Sequence, residues 1–229
     1  MKIRALSLVG RAPRLQRGGQ RFESARVQMI YGIKPQFQKF LRSLTDFFVA
    51  YKIHPTTINI WGLVFSVIMG YSLYFSIKQP YLLILVPICA FLRTAFNALD
   101  GLFSRELKIA SAYGEVLNEF LDRVSDVVVF LSLAFASFAN IYTGSMLVVL
   151  ILLSSYLGIV SKSAGGSRFY GGLMTKADRM IFLGAWALIV YATGNETLWD
   201  ICIWILIVSM IITILQRLVG IYRQLQTNA

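Results

Sequence analysis

Charged residues, cysteine and histidine are all scarce in this sequence of 229 residues. Only 14% of the residues are charged, against about 25% in an average soluble domain, and 57% are hydrophobic. The two cysteines, Cys89 and Cys202, lie in apolar runs, which argues against a disulfide framework. The single histidine, His54, argues against a zinc site. The composition predicts one domain that lies largely in lipid.

Six apolar stretches follow Pro55, and a membrane-spanning helix needs about 20 mostly apolar residues. Pro55 with the two threonines after it is typical of a helix start. The second and third stretches qualify only if ionisable residues near their ends are accepted. We therefore expect an all-α polytopic membrane protein with six transmembrane helices in a domain covering 53–229. The predicted spans are 58–77, 81–99, 115–138, 143–161, 179–194 and 198–215.

Residues 1–52 form the only segment that is soluble in character, and they are rich in lysine and arginine. Within 35–51, five apolar side chains recur at helical spacing with charged residues between them. This pattern predicts an amphipathic helix that lies at the membrane interface. The basic, acid-poor residues 1–27 are also compatible with an organelle transit peptide.

The net charge of +11 requires an explanation, and the order of the basic residues along the chain supplies one. With six spans, the basic residues between spans fall in segments on one side of the membrane, and only Lys78 lies in a loop on the other. This asymmetry follows the positive-inside rule, so both termini are predicted to be cytoplasmic. Anionic lipid headgroups then account for the charge, and no nucleic-acid partner is needed.

Acidic and amide side chains cluster where the second and third spans approach the predicted cytoplasmic side. Asn118, Asp122 and Asp126 are four residues apart and form one stripe on the third helix. Asn97 and Asp100 lie at the end of the second, and the short connection predicts that the two helices are antiparallel neighbours. Converging carboxylates need a cation, and oxygen ligands favour Mg²⁺, Mn²⁺ or Ca²⁺. Internal pairing with a neighbouring arginine, or hydrogen bonds between helices, is the alternative interpretation.

The spacing of these residues matches a family motif. In order, the chain has Asn97, Asp100, Gly101, Arg105, Gly114, Asn118 and Asp122. It resembles the CDP-alcohol phosphotransferase family, whose pattern is D-x2-D-G-x2-A-R-x8-G-x3-D-x3-D. Asn97 and Asn118 stand where the family has its first and third aspartates, and Ser104 stands where it has alanine. Pro55-Thr-Thr-Ile-Asn59 resembles the element that begins the first span in many members.

The resemblance implies an integral-membrane enzyme of phospholipid biosynthesis. Such an enzyme transfers a phosphatidyl-type group from CDP-diacylglycerol to an alcohol and releases CMP. It implies Mg²⁺ or Mn²⁺ near the cytoplasmic face, with Asp122 as the base that accepts the hydroxyl proton. The implied metal ligands are Asn97, Asp100, Asn118 and Asp122, with Asp126 as an auxiliary. The implied contacts of the CDP substrate are Asn59, Gly101, Arg105 and Gly114.

The segment after the fourth span offers basic residues for a phosphate on the acceptor. Arg179 is the favoured candidate, with Lys162, Arg168 and Lys176 as further candidates. For Arg168 and Lys176, a topology-setting charge in a flexible loop is an equally good interpretation.

Two amides in place of two carboxylates leave three outcomes open, because asparagine can ligate a metal but cannot act as a base. Asp126, Glu115 or Glu119 restores the missing charge, or a single metal suffices, or the protein is a non-catalytic relative that binds a CDP-lipid. A second register, in which Asp122 and Asp126 form the last motif pair, fits the glycine spacing less well. Transfer from a CDP-amino-alcohol to diacylglycerol is a variant of the same chemistry, and a small transporter is a third class.

Two further features carry only structural expectations. Trp61, Trp186, Trp199 and Trp204 are predicted to lie at the interface or to face lipid. Gly62 and Gly70 are predicted to allow close helix contact, and a homodimer is compatible with this.

Overall fold

The computed structural model of the protein describes residues 55–106, 112–136, 138–167 and 169–228. All of them belong to one unit, Leu44–Ala229. The side chains of residues 100–106 lie outside this description, although their backbone is helical. The predicted interfacial helix at 35–51 also lies outside the described residues.

Six α-helices and one short 3-10 helix make up the described part of the chain, and no strand occurs in it. Each predicted apolar stretch overlaps one of these helices, in the predicted order, so the all-α prediction is confirmed there. The helices are α1 (Pro55–Phe75), the 3-10 helix (Pro80–Ile84), α2 (Leu85–Glu106), α3 (Ala112–Phe135), α4 (Ile141–Ser163), α5 (Lys176–Thr193) and α6 (Leu198–Asn228).

Four segments within these helices are long enough and apolar enough to cross a membrane: Thr56–Phe75, Pro80–Leu99, Ile141–Ser163 and Leu198–Gln226. Helix α3 is long enough, with 24 residues, but it carries several charged side chains in its first half. Helix α5 has 18 residues and three charged side chains in its first turn. Ionisable residues in such helices are costly in lipid and point to function.

The start of α5 is fixed by a capping box. The side chain of Thr175 accepts from the backbone N–H of Asp178, and the Asp178 carboxylate accepts from the backbone N–H of Thr175 at 2.9 Å. This reciprocal pair satisfies two backbone donors that the helix would otherwise leave unpaired. The helix therefore begins at Lys176, and Lys176 and Arg179 lie one turn apart on the same side.

Helix α1 packs against both α2 and α3, α4 packs against α3 and α6, and α5 packs against α2. Among the described residues, the backbones of α2 and α3 make almost no close approach to each other. The predicted convergence of their side chains is seen, but it does not come from close backbone packing among the described residues. Long polar side chains, which need more room than small apolar ones, reach across the space between them.

The hydrophobic core is built from residues of several helices, including Leu73, Phe130, Leu147 and Leu183, all 0–1% exposed. Trp199 at the start of α6 is only 1% exposed and stacks on Phe138 with ring centroids 5.0 Å apart. The expectation that it faces lipid is wrong, because the side chain is buried within the protein. Its large apolar ring packs on Phe138 in the connection between α3 and α4, a contact that a sequence pattern alone does not show.

Close contact between α1 and α3 depends on Gly70. A Cβ added there would lie 2.7 Å from Ser132 Oγ and 3.1 Å from the Val128 carbonyl oxygen. Gly62 lies about two turns before Gly70 on α1. A Cβ added there would lie 3.7 Å from the Asn97 side chain, which is ordinary van der Waals contact. The close contact expected at Gly70 is thus made within the chain, and a homodimer stays a prediction.

We predict that Gly70→Ala lowers the thermal unfolding temperature of the detergent-solubilised protein. The new methyl group would force α1 away from α3, and overpacking of this kind costs about 1–3 kcal/mol. Gly62→Ala is the matched control, because it gives the same helix the same gain in propensity without the clash. Equal unfolding temperatures for the two variants would contradict the close packing at Gly70.

Candidate active site

A polar cavity of about 320 Å³ lies between α3, α5 and α6. That volume falls in the range of small-molecule sites. Its charged lining consists of four basic and two acidic side chains, so the positive charge is in excess and suits an anionic ligand. These side chains are Arg123, Lys176, Arg179, Arg217, Glu119 and Asp122.

Three side chains from three helices meet at the edge of this cavity. The Nζ of Lys176, at the start of α5, forms an ion pair with Oδ1 of Asp122 on α3. When the Asn97 amide on α2 is oriented with its nitrogen towards Asp122, it donates to Asp122 Oδ1 at 3.1 Å. In the same orientation its oxygen accepts from Lys176 Nζ at 2.8 Å. We refer to these residues as the Asn97–Asp122–Lys176 cluster.

The structure also describes three further motif residues, Asn118, Gly114 and Asn59. Asn118 lines the cavity one turn before Asp122, and Gly114 lies one turn earlier on α3. Asn59 on α1 is 8% exposed, and its Oδ1 has no hydrogen-bond partner among the described residues. A buried amide oxygen without a partner is costly, and a bound ligand that donates to it would remove that cost.

Asp126, one turn beyond Asp122 on α3, lies between two buried arginines. Its Oδ1 accepts from Arg93 Nη2 at 2.6 Å, and its Oδ2 accepts from Arg179 Nη2 at 3.1 Å. All three side chains are at most 2% exposed. Since both carboxylate oxygens accept from guanidinium groups, Asp126 does not make up, in this arrangement, for the charge lost at Asn97 and Asn118.

The two glutamates that were also considered for this role have basic partners as well. Arg123 Nη2 lies 3.4 Å from Glu119 Oε2 and 3.9 Å from Asp122 Oδ2. Lys162 on α4 pairs with Glu115 in the first turn of α3 at 2.5 Å, and both side chains are about half exposed. Lys162 therefore links α4 to α3 at the surface and does not line the cavity.

For four of the predicted site residues, the structure does not describe the side chain. Asp100, Gly101 and Arg105 belong to the last turns of α2, and their side chains lie outside the described residues, as does all of Arg168. Asp100 follows Asn97 by one helical turn. Among the residues that are described, no group of three or more histidine, cysteine or acidic side chains converges as a metal site.

The sequence analysis assigned no site role to Arg93 or Arg217, and for Lys176 it left open a phosphate contact or a topology-setting charge. Arg217 on α6 donates to the carbonyl of Gly171 at 3.0 Å, to that of Tyr170 at 3.2 Å, and to that of Ser154. For Lys176 a signal existed, because Thr175-Lys-Ala-Asp178 has the capping-box pattern and places Lys176 one turn before Arg179.

Comparison with known proteins agrees with these features. No family model matches the chain. The inner membrane protein YnbA of Escherichia coli (strain K12) is 33% identical over 177 residues, which cover 76% of this chain and 87% of YnbA. The phosphatidylinositol phosphate synthase of Mycobacteroides abscessus is 28% identical over 189 residues, which cover 80% of this chain and 83% of the synthase. The chain belongs to the CDP-alcohol phosphotransferase family.

The fold agrees with this membership. Phosphatidylinositol phosphate synthase PgsA1 of Mycobacterium tuberculosis, in complex with manganese and citrate, matches with a TM-score of 0.65 at 22% identity, covering 80% of this chain and 88% of PgsA1. Its structure with CDP-DAG bound matches with a TM-score of 0.64 at 20% identity, covering 80% of this chain and 94% of that chain. Together with the four long apolar segments, the likeness to YnbA identifies an integral membrane protein of the family.

We predict that Asp126→Asn strongly destabilises this family member. The change leaves two buried arginines without their shared carboxylate, and breaking a buried pair in this way costs about 3–5 kcal/mol. Chemical unfolding in detergent measures the loss. Glu115→Gln, which breaks the exposed pair with Lys162, is the control and should cost about 0–1 kcal/mol. Similar stabilities for the two variants would contradict the structural role of Asp126.

Proposed function

We propose that the protein transfers the phosphatidyl group of CDP-diacylglycerol to an alcohol and releases CMP, as a step of phospholipid biosynthesis. The observation that carries this proposal is the family motif assembled at a basic cavity, with Asn97, Asn118 and Asp122 at its edge. The phosphatidylinositol phosphate synthase of M. abscessus and the M. tuberculosis structure with CDP-DAG bound support the substrate class.

The donor chemistry at this end of the molecule fits a hard divalent cation, Mg²⁺ or Mn²⁺. Asp122 offers a carboxylate, Asn118 offers an amide oxygen, and no thiolate or imidazole occurs among the described residues that line the cavity. We assign the ion to Asp100, Asn118 and Asp122, whereas Asn97, whose amide oxygen accepts from Lys176, stays a prediction for that role. When bound, it offsets charge on the substrate diphosphate and on the departing CMP. The manganese complex of M. tuberculosis PgsA1 supports a divalent ion.

Asp122 is the residue we assign as the base. Lys176 and Asn97 both engage its Oδ1 and hold the carboxylate in one orientation. We assign Oδ2 to the proton of the acceptor hydroxyl, which leaves as the hydroxyl oxygen bonds to the β-phosphorus and the bond to CMP breaks. Fixing this carboxylate before the substrate arrives removes part of the entropic cost of the reaction.

Asp126 and the basic residues near Asp122 are assigned to positioning and to phosphate binding. We assign Asp126 to positioning, because it holds Arg93 and Arg179 in place and its charge is already offset. Arg179 lines the cavity and is the residue we assign to a phosphate on the acceptor. Lys162 and Arg168 stay predictions for that role.

We assign contacts with the CDP part of the substrate to the motif residues and to Asn59 near the start of α1. The unpartnered amide oxygen of Asn59 supports a contact with the nucleotide. Gly114 lies on the same helix as Asn118 and Asp122, where the lack of a side chain leaves room for the substrate. Gly101 and Arg105 are proposed on the motif spacing alone.

We expect Asp122→Asn to lower CMP release by about 10²–10⁴-fold, the usual contribution of a positioned acid or base. Purified protein would be mixed with CDP-diacylglycerol, Mg²⁺ and a panel of alcohols that includes phosphorylated ones. Asp200→Asn is the control, because Asp200 is an exposed acid in the first turn of α6, far along that helix from Arg217.

Several outcomes would contradict this function. No CMP from the wild-type protein with any alcohol, under conditions where another family member is active, would favour a non-catalytic CDP-lipid-binding relative. Release of CMP only from a CDP-amino-alcohol with diacylglycerol would favour the variant reaction. Full activity of Asp122→Asn would show that another group accepts the proton.

The orientation we propose has six membrane helices, both termini in the cytoplasm, an interfacial N-terminal helix and the cavity at the cytoplasmic face. The distribution of basic residues supports this orientation, because Lys78 follows α1 at one end and Lys162 ends α4 at the other. Helices α3 and α5 are the two further spans, with their charged ends at the cytoplasmic side.

Cysteine labelling tests this orientation. A membrane-impermeant maleimide should label Lys78→Cys in intact spheroplasts and should label Ser163→Cys only after lysis. Both positions are exposed, and the native Cys89 and Cys202 are buried, so they serve as an internal background. Labelling of Ser163→Cys in intact spheroplasts would contradict the proposed orientation and indicate the opposite one.

A further inference from the structure

We infer that Lys176 supplies one cation of the active site from within the chain, so that the site takes a single divalent ion. The four-aspartate form of the motif balances two such ions. This inference rests on the proposed function for the nature of the bound ion. It goes further in saying that the ammonium group of Lys176 takes the place of the second divalent ion.

The first argument is the position of the ammonium group. Lys176 Nζ lies between Asp122 Oδ1 and the amide oxygen of Asn97, which are two of the oxygens that the motif offers to a cation. The side chain is 24% exposed and reaches this position from the first residue of α5. A second divalent ion on these two oxygens would have to displace it.

The second argument is that the neutral amide of Asn97 suits the single positive charge of Lys176. The Asn97 amide donates to Asp122 with its nitrogen and accepts from Lys176 with its oxygen. An aspartate at position 97 would place two carboxylates side by side, and like charges at such a distance require a strong counter-charge. The amide removes that repulsion and needs only the single positive charge of an ammonium.

The third argument is the charge already present around the cavity. Apart from Lys176, its lining carries three basic side chains against two acidic ones, and Asp126 is shared between two arginines. Every further positive charge meets repulsion from these groups in a region of low dielectric. One divalent ion and one ammonium add less charge than two divalent ions and need fewer carboxylates.

The fourth argument is that Lys176 is held in place. The capping box of Thr175 and Asp178 fixes the helix start, and Arg179 one turn later is anchored on Asp126. Upstream, Arg217 holds the carbonyls of Tyr170 and Gly171. The backbone on both sides of Lys176 is therefore tied to α3 and α6, and the ammonium stays at the site as a fixed charge.

Counting bound Mn²⁺ tests the inference without any use of activity. The full-length protein in detergent is titrated with Mn²⁺ alone, and free ion is followed by electron paramagnetic resonance. We expect one Mn²⁺ per wild-type chain. We expect two in the double variant Asn97→Asp with Lys176→Met, because it restores a carboxylate and removes the ammonium. Lys78→Met, at an exposed position in the turn after α1, is the matched control and should keep one.

Activity gives a second readout. Lys176→Met should lower CMP release at least 10-fold at Mn²⁺ concentrations that saturate the wild type, whereas Lys78→Met should leave it unchanged. Two Mn²⁺ per wild-type chain, one in the double variant, or unchanged release by Lys176→Met would each overturn the inference. A wild-type protein that binds one Mn²⁺ but releases no CMP would contradict the proposed function and leave the inference standing.

Discussion

The carboxylate of Asp126, shared between two buried guanidinium groups, is the interaction on which the site depends. It joins α2 through Arg93, α3 through Asp126 itself and α5 through Arg179. Among the described residues the backbones of α2 and α3 make few close approaches, and the pair between Arg93 and Asp126 bridges the space between them. It also brings the start of α5 beside Asp122, where Lys176 completes the cluster. A buried ion set of this kind is costly to assemble, but it is more costly to leave incomplete.

The fold was predictable from the sequence because its signals are local. Apolar stretches mark all six described helices, four of which contain a segment long and apolar enough to cross a membrane. The motif spacing from Asn97 to Asp122 places the polar residues on α2 and α3. Family membership followed from the same residues and is shown by the relatives. Charged ends explain why α3 and α5 fall short of an ordinary membrane span.

The partners of the charged residues were not predictable, because they depend on contacts between distant parts of the chain. Asp126 pairs with residues 33 and 53 positions away, so its charge is offset where the motif alone suggests an available carboxylate. Trp199 is buried for the same reason, since its stacking partner Phe138 comes from before α4. Periodicity identifies the face on which a side chain lies, but it does not identify what faces it.

Arg217 holds the segment before α5 through hydrogen bonds to its backbone carbonyls. Backbone carbonyls outside a helix need donors, and where water is scarce they are costly without them. One guanidinium group on α6 satisfies two carbonyls of this segment and a third on α4. The irregular chain is therefore fixed against α6 and α4 by side-chain hydrogen bonds, and through Tyr170 and Thr175 it forms one wall of the cavity.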